Sequence, residues 1–152
     1  MDNNLFEKKL AIACDHAGFD MKLMIIELAK KQGYEIWDFG TLTKDSVDYP
    51  DFVHPLCQEI EKSSVQYGVL ICGSGNGVAI TANKYPAVRA ALCWNEEIAT
   101  LAKKHNDANV LCIPARFVND ETATRIFLDF LSTPFEGGRH QIRVQKITTG
   151  LR

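Results

Sequence analysis

The sequence predicts an α/β protein, a three-layer, Rossmann-like, doubly wound fold with a five-stranded parallel sheet and helices on both faces. Three observations carry that prediction. Short apolar runs ending in Gly, Asp or Asn alternate with longer stretches of helical spacing. The runs are continuously hydrophobic, as strands buried on both faces must be, without the polar alternation of a half-exposed sheet. Finally, 152 residues with 46% hydrophobic content are enough for one continuous core and too few for two full domains, so residues 1–152 are expected to form one domain.

The elements follow in order. KLAIAC (9–14) is the first strand and ends at Asp15 and His16. Helical spacing runs from Gly18 to Gln32, with Phe19, Leu23, Ile26 and Leu28 among its apolar positions, and Gly33 stops it. YEIWDFG (34–40) is the second strand, followed by a loop with Asp48, Tyr49 and Pro50 and a helix from about Asp51 to Lys62. VLICG (69–73) is the most apolar strand, and a Gly-rich turn with a short helix leads from it to Tyr85. VRAALCW (88–94) and the amphipathic NEEIATLAKK (95–104) form the fourth strand and helix, NVLCIPA (109–115) and a helix from about Asp120 to Leu131 the fifth. Beyond Phe135 a basic tail helix is expected over about 136–150, which need not pack on the core of its own chain. No repeat, low-complexity tract or linker interrupts the pattern.

Composition excludes several function classes. Seventeen Lys and Arg against nineteen Asp and Glu give a net charge of -2, so no whole-molecule field favours nucleic acid or an anionic membrane. An anion site must be local. The five cysteines (Cys14, Cys57, Cys72, Cys93, Cys112) form no CxxC pair, and four lie in apolar runs, as reduced buried thiols of a cytoplasmic protein would. The opening MDNNLFEKKL has no apolar leader core, and no apolar run is long enough to cross a bilayer. Histidines and cysteines are too scattered for zinc-ligand spacing, so no metal is expected.

In an open doubly wound sheet, ligands bind at the carboxyl ends of the strands where the order reverses. With the order 2-1-3-4-5, that point lies between the first and third strands. Their tips are Asp15-His16 and the segment Cys72, Gly73, Ser74, Gly75, Asn76, Gly77. Three alternate glycines let backbone N–H groups converge on an anion, and the helix that follows favours both that anion and the thiolate of Cys72. A lone Cys-Gly pair would read as a small buried hydrophobe beside a tight turn; the further glycines with Ser74 and Asn76 favour a cradle. Val78, Ala79 and Ile80 after Gly77 rule out the Lys-Ser/Thr of a nucleotide P-loop, and G-x-G-x-G is not the dinucleotide spacing. No nucleotide cofactor is expected. By resemblance to cysteine phosphatases, an Arg would stand where Val78 does, so attack of the thiol on phosphorus is not expected either.

His16, at a strand tip, suits phosphate binding or proton transfer, and equally a helix cap. His105, with Asn106 and Asp107, closes the fourth helix; that is the composition of a proton-transfer site, but also a common helix ending. His54, before Pro55, has no evident polar partner and no assigned role. Arg139 and Arg143, at i and i+4 after Gly137-Gly138, would share a helical face and suit a phosphate dianion, unless the cluster with His140 is a solvated tail. Arg116 lies just past the fifth strand on the carboxyl edge.

IACDHAGF (12–19), DYPDF (48–52), ICGSGNGVAITANK (71–84), VRAALC (88–93), KHNDANVL (104–111) and FEGGRHQIRV (135–144) together resemble the type B ribose-5-phosphate isomerases over nearly the whole chain. Galactose-6-phosphate isomerase subunits share the first and third of these but lack the HND and GGRH motifs. The resemblance implies that Cys72 moves a proton between the second and first sugar carbons and that His105 opens the furanose ring. It further implies that Gly73 to Gly77 form an anion hole with Ser74 near the sugar oxygens, that Asp15 and His16 contact substrate, and that Asn106 holds its polar end. Arg116, Arg139 and Arg143 would bind phosphate. One branch of the family carries a Glu base at the position of Val78, which valine cannot replace. The implied protein is at least a homodimer with shared active sites, a tetramer being the larger alternative. Interconversion of ribose 5-phosphate and ribulose 5-phosphate is the expected reaction; a hexose 6-phosphate substrate or a non-catalytic sugar-phosphate-binding module are the alternatives.

Overall fold

In the computed structural model, which describes residues 8–151, the apolar runs become five parallel strands of one sheet. They are β1 (Lys9–Cys14), β2 (Glu35–Asp38), β3 (Tyr67–Cys72), β4 (Ala90–Leu92) and β5 (Val110–Pro114). Ile12 pairs with Asp38 on one side and Val69 on the other, and Ile71 pairs with Ile113, which sets the strand tips level at the carboxyl edge. The order is β2-β1-β3-β5-β4, so the expected 2-1-3-4-5 is corrected at its far end. Burial explains the exchange: all five residues of β5 are buried, whereas the three of β4 are half-buried and suit an edge. The reversal between β1 and β3 is unaffected.

Helices α1 (Phe19–Lys31), α4 (Glu96–Asn106) and α5 (Asp120–Ser132) cover one face, packing Met21, Ile25, Ala99, Ala102, Phe127 and Phe130 on Leu10, Ile12, Ile71 and Ile113. The other face is covered by α2 (Tyr49–Glu61) and α3 (Asn76–Ala82), through Val53, Leu56, Ile60, Val78 and Ala82. Their starts are built as the sequence suggests. Asn95 Oδ1 accepts the Ile98 N–H at 2.9 Å, and Asn119 Oδ1 that of Thr122 at 2.8 Å.

The tail helix α6 is Arg139–Lys146, shorter than expected, and touches α4. Gly137 and Gly138, at φ 71° and 56°, cannot join it, and Thr148, Thr149 and Gly150 are poor helix formers at its other end. His140 is its one buried residue and packs against the end of α4. All five cysteines are free and buried. Most of the opening segment read for a leader lies outside the described residues. Within them, no helix is long and apolar enough to cross a membrane.

Candidate active site

At the carboxyl edge, β1 and β3 end side by side and the chain leaves them in opposite directions. The Asp15 N–H donates to Ile71 O at 3.1 Å, binding the first tip to the third strand. Asp15 is buried, and its Oδ1 accepts the N–H groups of Ala17 (2.9 Å) and Gly18 (3.3 Å), so it caps the turn His16–Gly18. The cap is therefore Asp15, leaving His16 for other work. His16 Nδ1 accepts the Val47 N–H at 3.3 Å, which puts the ring proton on Nε2 and makes that atom a donor. Both residues line a cleft of about 510 Å³ with Val47, Asp48, Tyr49, Pro50 and Asp51.

Cys72 closes β3 at 4% exposure. After it, the N–H groups of Gly73, Ser74 and Gly75 donate to no protein acceptor among the described residues. Ser74 Oγ accepts from the Asn76 N–H (3.3 Å) and from Asn76 Nδ2 (3.4 Å), leaving its own proton to give. Gly75 has φ 74°, a conformation other residues rarely adopt, and a Cβ there would lie 2.3 Å from Leu92 Cδ1, so a substitution would be strained. Consecutive N–H groups left free in this way are the donors that a bound anion or a developing oxyanion requires.

Two side chains frame this cradle through space that only glycine leaves. A Cβ on Gly73 would lie 3.1 Å from Arg116 Nη1, so the guanidinium rests against the cradle, and the Arg116 N–H donates to Gly73 O at 3.0 Å. A Cβ on Gly77 would lie 2.4 Å from Tyr49 Cζ, so the Tyr49 ring joins the cradle to the His16 cleft. Sequence reasoning left Tyr49 without a role. Its signal was present in DYPDF, but only the close approach to Gly77 reveals what the ring does.

The remaining candidates gather elsewhere. Helix α4 starts at the carboxyl edge after β4 and runs back, so His105 and Asn106 at its end lie at the amino edge of the sheet. Eleven residues of helix set them roughly 15 Å from the level of Cys72. Arg89 Nε donates to the carbonyls of Asn106 (3.2 Å) and Asp107 (2.9 Å), completing the helix end. His105 stacks on His140, with centroids 4.2 Å apart and planes 9° apart, and Glu136 lies beside both rings. Arg139 and Arg143 are exposed on the first and second turns of α6 next to this stack. His54 Nδ1 lies 2.6 Å from Tyr85 Oη, a partner the sequence did not reveal.

The fold and this site define a doubly wound α/β protein with a buried thiol and a glycine-rich turn at its switch point. The chain belongs to the ribose/galactose isomerase family, whose profile matches residues 10–147. It is 40% identical to ribose-5-phosphate isomerase B of Escherichia coli over 141 residues, 93% of this chain and 95% of that one. It superposes on the ribose-5-phosphate isomerase B of Clostridium thermocellum with a TM-score of 0.90 at 43% identity, covering 91% of this chain and 94% of the other. The Mycoplasma genitalium isomerase B, solved with bound ribulose-5-phosphate, matches with a TM-score of 0.88 at 42% identity over 93% and 95% of the two chains.

Proposed function

We propose that this chain is a ribose-5-phosphate isomerase that interconverts ribose 5-phosphate and ribulose 5-phosphate through a cis-enediolate, with Cys72 as the base. The observation that carries the reading is the row of N–H groups without acceptors at Gly73, Ser74 and Gly75, directly after a buried thiol. A sugar C–H is acidic only when the adjoining carbonyl oxygen can accept the charge. Each preorganised N–H donor contributes about 3–4 kcal/mol to that transfer in comparable sites. The thiolate of Cys72 takes the proton from the second carbon, the cradle holds the enediolate oxygen, and the thiol returns the proton to the first carbon. Ser74, whose hydroxyl proton is uncommitted, moves a proton between the two sugar oxygens. Nε2 of His16, the Arg116 guanidinium and the paired Arg139 and Arg143 hold the phosphate, which keeps the carbon chain in register.

The reading requires two copies of the chain. Cys72 and Arg116 sit at one edge of the sheet, His105, Asn106, Arg139 and Arg143 at the other, so one protomer supplies the base and its partner supplies the ring-opening acid. A homodimer with two shared sites follows. Five unpaired cysteines suit a reducing compartment, and the cytoplasm is the corresponding location.

A coupled assay offering ribose 5-phosphate, allose 6-phosphate and galactose 6-phosphate in parallel tests the substrate. Preference for the pentose is expected, and turnover of a hexose phosphate alone would overturn the assignment. The role of His105 is tested by exchange. Ribulose 5-phosphate has no furanose form, so deuterium uptake from D2O into its first carbon needs the base and cradle but no ring step. His105→Ala should lose net isomerisation in both directions while retaining that exchange. Equal loss of both activities contradicts a ring-opening role.

A further inference from the structure

His105, Glu136 and His140 bring one donor atom each within 4.8 Å of one another, yet only His105 has a part in the reaction described above. The group is not shaped as a chelate. A metal ion lies near the plane of each imidazole it binds, at about 2 Å from nitrogen, and two planes only 9° from parallel with centroids 4.2 Å apart share no such point nearby. Its geometry serves the imidazole of His105 instead.

His140 is 4% exposed, and its Nε2 has no hydrogen-bond partner. That atom faces Glu136 Oε1 at 3.8 Å, while Glu136 Oε2 lies 4.0 Å from His105 Nε2. The Glu136 N–H donates to Lys104 O at 3.1 Å, which anchors the carboxylate to the turn that carries His105. Burial above all, and then the neighbouring His105 ring with Arg139 and Arg143, disfavour a charge on His140, against the opposing pull of Glu136. Burial thus favours the neutral form of His140, a flat support, and His105 is the more exposed ring of the pair, stacked on it beside the carboxylate.

We propose that Glu136 is a positioning residue for ring opening: its carboxylate accepts a hydrogen bond from the Nε2–H of His105, so that the imidazolium, braced on His140, delivers its proton from Nδ1. The inference rests on the reading of His105 as the ring-opening acid. In the step itself, the furanose bond between the first carbon and the ring oxygen breaks, and that oxygen takes the Nδ1 proton. The anomeric hydroxyl becomes the carbonyl as its proton passes to water. The neutral ring keeps its Nε2–H toward Glu136 and recovers the other proton from water. Separations near 4 Å in the free protein are of the kind that shorten when substrate binds.

Glu136 is more than half exposed, so Glu136→Gln should fold as the parent does. The variant should lose about tenfold or more in net isomerisation of ribose 5-phosphate while deuterium uptake into ribulose 5-phosphate stays within about twofold of the parent. Added to His105→Ala, it should cost nothing more, because the two residues act as a unit. Glu136→Asp should recover part of the loss. Undiminished net isomerisation in Glu136→Gln, or equal loss of isomerisation and exchange, overturns the proposal while leaving His105 as the acid. Ring opening that survives in His105→Ala overturns both.

Discussion

Cys72 is one of five buried thiols, and it alone of them closes a strand into the glycine-rich turn. Burial pushes Cys14 up to about 11 and Cys57 and Cys93 up to about 12, and raises Cys112 well above the ordinary thiol range. At pH 8 such thiols hold only about one part in a thousand, or less, as the reactive thiolate. Iodoacetamide should therefore place one adduct on the native chain, at Cys72, with activity falling in step; mass spectrometry of the peptides checks it, and adducts on the others with Cys72 unmodified would contradict it. The placement of Cys72 at the end of β3 was legible in the sequence because a strand end and a G-x-G-x-G turn are local features. The ring of Tyr49 on Gly77 was not, since 28 residues separate the two and only packing brings them together. Glu136 beside His105 escaped the sequence for the same reason, as did the stacking of buried His140 on His105.

At the scale of elements, the switch point depends on the connection that leaves β2. Lys22 of α1 is fully buried, and its Nζ donates to Asp38 Oδ1 (2.8 Å), Asp38 Oδ2 (2.9 Å) and Thr41 O (2.7 Å). It thereby fixes the loop whose backbone clasps the end of β1, through Cys14 N–H to Gly40 O at 2.7 Å and Thr41 N–H to Cys14 O at 2.9 Å. Lys22→Met leaves a half-buried carboxylate and a carbonyl without their donor, and should cost about 2–3 kcal/mol, somewhat below the loss of a fully buried pair. The urea midpoint measures it, and an unchanged midpoint would deny the lysine that role. Helix positions and strand identities were readable from periodicity alone. The order of β4 and β5 was not, because it follows from which of two apolar segments is buried more completely, a comparison that becomes visible only when the sheet is assembled.

Over the whole molecule, the residues proposed for catalysis lie at the two edges of one sheet, which turns a question of mechanism into one of assembly. Cys72→Ala and His105→Ala should each lack net isomerisation. Mixed, dissociated and reassociated in equal amounts, they should regain about a quarter of the parent activity, since half of the dimers are then mixed and each mixed dimer keeps one intact site of two. No recovery from a confirmed mixed dimer would mean that each site is built within one chain.

The central claim is that the sulfur of Cys72 carries the proton between the two sugar carbons. Deuterium uptake from D2O into ribulose 5-phosphate isolates that transfer from ring opening and from product release. Cys72→Ala should lower its rate at least about a hundredfold, the usual contribution of a positioned base, while still binding the sugar phosphate. Exchange at the parent rate in Cys72→Ala would contradict the account.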